Sequence, residues 1–111
     1  MKKIAIPVNN GLLAQHFGHC QNFAVYTVDN KEIKSEETLI PPVHEPGAYP
    51  HFLADKGISV VICGGMGHRA RQHFNMQNIE VITGATGQLP QDLINLFLEN
   101  KLETGTNPCD H

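Results

Sequence analysis
Ile58-Ser59-Val60-Val61-Ile62-Cys63 is almost unbroken in apolar residues and runs straight into Gly64-Gly65-Met66-Gly67. A strand with one wet face alternates; a continuous apolar strand hides both faces, as parallel strands do in α/β sheets with helices on either side. From Met66, apolar residues recur at Ala70 and Phe74, so the glycine-rich turn opens a helix reaching about Gln77. A buried strand feeding a helix commits the chain to a layered α/β architecture.

The remaining elements follow from the same periodicities. Lys3 to Val8 reads as a first strand, with Pro7 confined to a place near its end where no ladder donor is needed. Phe23 to Val28 and residues 33–40, joined by Asp29-Asn30-Lys31-Glu32, read as a hairpin. Tyr49, Phe52 and Leu53 fall at helical spacing, with Gly57 as C-cap. Ile79 to Thr83 is the last strand, and Pro90 opens a helix whose apolar face is Leu93, Ile94, Phe97 and Leu98. The order βββαβαβα in 111 residues is one domain. Right-handed crossovers and one hairpin give a five-stranded mixed sheet, order 3-2-1-4-5, with strand 2 antiparallel to its neighbours. The domain is expected over residues 1–100, with residues 101–111 as a flexible tail carrying Cys109 and His111.

That topology brings the loops after strands 1, 3, 4 and 5 to one edge, where open α/β sheets bind ligands. Those loops carry His16, His19, Cys20, His44, Cys63 and His68. The seven histidines are about three times ordinary usage. Imidazole and thiolate are the usual donors for soft and borderline metals, and His16, His19 and Cys20 form an H-x-x-H-C loop with ligand-like spacing. Phe17 reads as an anchor for that loop and Gly18 as a positive-φ turn residue. The last helix should end at the opposite edge, but ten extended residues reach roughly 33 Å, enough to return Cys109 and His111. Other readings stay open: Cys63 also suits a small apolar filler, and His68 an exposed helix-start residue. His51 and His73 read as surface or packing residues. Gly64, Gly65 and Gly67 suit either an anion cradle or close strand–helix packing, and Arg69 would offset the charge of a bound anionic cluster. The Walker lysine and the dinucleotide glycine spacing are both missing, which argues against nucleotide.

Eleven acidic against eight basic residues, with no basic run, leave little to attract nucleic acid or an anionic membrane. No apolar stretch matches a signal or spanning segment, so a cytoplasmic location is expected. Three cysteines cannot all pair within the chain, and in a reducing compartment they read as free thiols or metal ligands rather than as a disulfide framework.

The His16-Phe17-Gly18 loop and the Gly64-Gly65-Met66-Gly67-x-Arg69-Ala70 turn resemble those of the dinitrogenase iron–molybdenum cofactor-binding family, small nitrogenase-accessory proteins. The likeness covers essentially the whole chain. His44-Glu45-Pro46-Gly47 and Cys109-Asp110-His111 are similar to a histidine-rich branch of that family. The resemblance implies a three-layer ribonuclease H-like motif, in agreement with the order derived above. It also implies non-catalytic binding or carrying of a metal or metal–sulfur cofactor in cofactor assembly. Iron, molybdenum and sulfur are the expected elements, zinc or copper the alternatives, and assembly or acceptor proteins the expected partners of a monomer or weak dimer. Two other classes compete: a zinc-dependent hydrolase with Glu45 or Asp110 as base, and a ligand-free interaction or regulatory domain. Nuclease chemistry is disfavoured, because the first strand is followed by Asn9-Asn10 and the fourth carries no Asp or Glu.

Overall fold
The computed structural model describes residues 2–14, 20–41, 48–85 and 89–99. The elements are β1 (Lys2–Asn9), β2 (Leu12–Leu13), β3 (Asn22–Asp29), β4 (Glu32–Leu39), α1 (Ala48–Asp55), β5 (Val60–Ile62), α2 (His68–Met76), β6 (Glu80–Ile82) and α3 (Pro90–Leu98). Among the described residues the sheet has six strands, in the order β4-β3-β1-β5-β6 with β2 paired to β1. The expected order and directions hold: β3 is antiparallel to β1 and β4, while β1, β5 and β6 are parallel.

The expected five strands become six through β2, which folds back on the end of β1 with Val8 opposite Leu13. Its turn is Asn10-Gly11, both at positive φ (53° and 80°). That is the backbone a two-residue hairpin loop requires, and Asn-Gly is the pair that adopts it most readily. The β3–β4 turn repeats the geometry with Asn30 and Lys31 at φ 51° and 64°. β4 is an edge strand and is exposed along most of its length. Its charged residues and the register shift opposite Thr27/Val28 discourage a stray strand from pairing there.

Two apolar layers sandwich the sheet. Ala5, Val25 and Val61 point to one face and pack with Leu53 of α1 and Phe74 of α2. Their neighbours Ile4, Ile6, Val60 and Ile62 point to the other and pack with Leu93 and Ile94 of α3. Side chains of a strand alternate between faces, so both faces of β1 and β5 are covered, as the apolar run from Ile58 required. Gly57, at φ 80°, ends the α1 turn, and its N–H donates to the carbonyl of Ala54 (3.0 Å). No helix among the described residues is long and apolar enough to cross a membrane.

Candidate functional site
Strand register fixes which loops share a rim. Phe23 is paired with both Pro7 and Leu39, and Ala5 with Val61. The carboxyl ends of β1, β4 and β5 therefore lie level, and β6 runs in step with β5 through the Ile62–Ile82 pair. Ala14 and Cys20, which flank residues 15–19, and Pro41, which precedes residues 42–47, all leave from this rim. His16, Phe17, Gly18, His19, His44, Cys109 and His111 themselves lie outside the described residues.

The base of the first loop is clasped to β1. Ala14 donates its N–H to the Pro7 carbonyl (2.9 Å), and Gln21 donates to the Val8 carbonyl (3.0 Å). The Gln21 amide also donates to Asn9 Oδ1 at 2.7 Å, while the Asn10 amide donates to Gln21 Oε1 at 2.9 Å. Two side chains thus satisfy backbone donors reciprocally across the loop mouth, fixing where residues 15–19 start and finish. Next to them, Cys63 and Gly64 beyond β5 are tied to the segment beyond β6. Cys63 accepts from Ala85 (3.1 Å), and Gly64 from Gly84 (2.7 Å).

Cys20 and Cys63 both belong to the α1/α2-side core, with relative exposures of 8% and 0%. Full burial is what an apolar filler shows, so Cys63 has its structural role accounted for, while Cys20 closes the histidine loop at the edge of the same core. Tyr49 stands edge-on to Phe23 (centroids 5.6 Å apart). Burial raises its phenol pKa above the ordinary 10.0, and the Cys20 charge raises it further.

The start of α2 runs against ordinary helix electrostatics. Gly67 is its N-cap in an extended conformation (φ −65°, ψ 155°), it supplies no capping side chain, and the first turn holds no acidic residue. Arg69, Arg71 and His68 stand there instead, although a helix N-terminus is positive and stabilises anions. A Cβ at Gly67 would meet nothing within 4 Å. Close packing therefore does not call for glycine at this position, and its φ suits any residue. Gly65 is buried and Gly64 half-buried, whereas Gly67 and Arg69 are exposed. His68 engages its own helix, its Nε2 lying 3.2 Å from Gln72 Nε2. His51 sits on the surface beside Asp55 (3.4 Å), and His73 is half-buried on α2.

Among the described residues no three His, Cys, Asp or Glu side chains group closely enough to hold a metal ion. Cys20 can therefore enter a metal site only with donors from the segments outside the described residues. Sequence reasoning missed the Asn9/Gln21 clasp, whose visible signal was the Asn10-Gly11 turn beside it.

The family model described as dinitrogenase iron-molybdenum cofactor matches residues 1–100. Protein MJ0580 of Methanocaldococcus jannaschii is 33% identical over 108 residues, covering 93% of this chain and 91% of its own. The crystal structure of PH0822 superposes with a TM-score of 0.86 at 31% identity, over 92% of this chain and 93% of its own. The apo form of the orange protein from Desulfovibrio gigas shares the fold, with a TM-score of 0.75 at 24% identity over 97% and 96% of the two chains. With the rim, the glycine turn and a family match spanning the whole described fold, the chain belongs to the dinitrogenase iron-molybdenum cofactor family.

Proposed function
We propose that this protein binds and carries a metal or metal–sulfur cofactor at the carboxyl rim, without catalysing a reaction on it. One observation carries the reading: the α2 start has no capping side chain and no acidic residue in its first turn, with open space at Gly67 and Arg69 exposed beside it, where a helix of purely structural purpose would be capped and acidic. Local rules are broken most often at functional sites. An anionic metal–sulfur species meets those requirements, since the amides at the start of α2 and the guanidinium of Arg69 would offset its charge. Cys20, His16, His19 and His44 are donors of the right softness, on segments anchored at the same rim. Cys109 and His111 would complete the set, while Cys63, fully buried in the core, serves the fold. Iron, molybdenum and sulfur fit the family, and the imidazoles also suit zinc or copper. Ligand deprotonation couples uptake to proton release, so loading should weaken as pH falls. Its partners in this reading are cofactor-assembly or acceptor proteins.

The test is anaerobic reconstitution of the full chain with iron and sulfide, with tetrathiomolybdate and copper, and with zinc, followed by elemental analysis. Stoichiometric retention of one of these is expected, reduced in His19→Ala and Cys109→Ala; retention of none overturns the reading. A zinc hydrolase would instead load zinc and hydrolyse esters or phosphoesters, and an interaction domain would load nothing.

A further inference from the structure
Asn10 is the only asparagine of this chain that is followed by glycine. The pair forms the β1–β2 turn, where both residues are exposed and both lie at positive φ. Among the described residues, neither the Asn10 carboxamide nor the Gly11 N–H has a hydrogen-bond partner. Asn10 is engaged only through its backbone amide, which donates to Gln21 Oε1 (2.9 Å). Asn9, next to it, is held by its side chain, since its Oδ1 accepts from the Gln21 amide (2.7 Å). An electrophilic carboxamide carbon and a nucleophilic amide nitrogen thus stand in adjacent residues, unpaired and in contact with water. A Cβ built on Gly11 would meet nothing within 4 Å, so no neighbour crowds this nitrogen, and glycine brings no side chain of its own to block attack. Asn22, Asn30, Asn75, Asn78 and Asn95 are each followed by a residue that does.

We propose that Asn10-Gly11 is a self-modification site, at which the Gly11 amide nitrogen attacks the Asn10 side-chain carbonyl, converts Asn10 to isoaspartate and unlatches the mouth of the first rim loop. The Gly11 nitrogen gives up its proton and bonds to Cγ of Asn10; the Cγ–Nδ2 bond breaks, and Nδ2 leaves as ammonia with that proton. Water, the sole co-reactant, then opens the cyclic imide. Cleavage of the new N–Cγ bond gives aspartate, whereas cleavage of the original peptide bond leaves the main chain running through Cβ and Cγ as isoaspartate. Ring closure needs the Asn10–Gly11 peptide to rotate out of its turn conformation, so conversion proceeds through opening of the hairpin. β2 is only two residues long and lies at the rim, where local opening costs little. A two-residue turn tolerates few backbone geometries, and an extra main-chain carbon is not among them, so the product does not reclose in register. The bond from Asn10 to Gln21 and that from Ala14 to the Pro7 carbonyl are then lost, and a new carboxylate stands at the rim. Weaker retention of an anionic cofactor follows, a consequence that rests on the carrier reading; the conversion does not.

The full-length chain is aged at one pH and temperature, both folded and in urea, and peptides covering each asparagine are followed by mass spectrometry with fragmentation that separates isoaspartate from aspartate. Conversion of Asn10 in the folded protein is expected, with Asn22, Asn30, Asn75, Asn78 and Asn95 unchanged. It should run severalfold faster in Gln21→Ala, which releases the Asn10 amide. Hydrogen exchange on the aged protein should show lost protection at the Ala14 and Gln21 amides while the β1–β3 ladder keeps its own. The proposal is overturned by an Asn10 that stays intact in the folded protein while the chain in urea converts, by equal conversion at the other asparagines, or by an isoaspartyl protein whose Ala14 amide remains protected. Metal retention by fresh and aged protein reads out separately. Fresh protein that retains nothing sinks the carrier reading and leaves the conversion standing, whereas equal retention by fresh and aged protein sinks the consequence for the cargo alone.

Discussion
Two glycines behave oppositely under substitution, and the contrast separates folding from binding. Gly57 sits at φ 80°, and a Cβ there would meet only Lys3 Cδ at 3.8 Å, so space is available but the backbone is not. Gly57→Ala should cost about 1 kcal/mol or more through the left-handed conformation alone. Gly67 has an extended backbone and open space around its missing side chain. Gly67→Ser should therefore stabilise the protein by about 0.5–1 kcal/mol, by capping α2 and stiffening the unfolded chain. The same hydroxyl would occupy the amides offered to a bound anion, so cofactor retention should fall as stability rises. Urea midpoints at constant m-value give the first quantity and elemental analysis the second. A Gly67→Ser protein that is both more stable and fully loaded would show that the α2 start is not part of the site.

At the scale of elements, the β1–β2 hairpin is signalled by only one short motif in the sequence. Asn10-Gly11 announced a two-residue turn, but Leu12-Leu13 is too short to register as a strand by alternation. The longer elements were legible because each hides a periodic apolar face: Leu93 and Ile94 on α3, Phe74 on α2, and the unbroken run of β5. The hairpin matters because it seats one end of residues 15–19, and Gln21 seats the other. Gln21→Ala removes the acceptor for the Asn10 amide but leaves the Gln21 backbone bond to Asn9 in place. Both groups are exposed, so the stability cost should be modest, about 0.5–1.5 kcal/mol. Hydrogen exchange should locate it: the Asn10 amide loses protection while those of the β1–β3 ladder keep theirs. If metal affinity falls with it, the loop mouth acts on the site by positioning its ligands. Unchanged exchange at Asn10 would mean that the clasp does not hold in solution.

For the whole molecule, the question is how a thiol can be both core and ligand. The histidine and cysteine content pointed to a site, and the topology placed its loops on one rim, but spacing could not say how deep each thiol sits. Depth is set by register: Cys63 follows a central strand and is sealed by helices, whereas Cys20 closes a loop at the edge of that same core. Exposure of the two should then require different motions. Stability is distributed unevenly, and a loop at a rim opens at lower free energy than a central strand separates from its neighbours. Alkylation mapped by mass spectrometry under rising urea should therefore modify Cys20 well below the global transition, through local opening at this rim. Cys63 should follow the global unfolding curve. The thiolate is the attacking nucleophile, so both rates are compared at one pH above the ordinary thiol pKa. Such a difference assigns Cys20 to cargo handling and Cys63 to the fold. Coincident curves would leave Cys20 as core alone, and the metal would then have to be held by the histidines and Cys109.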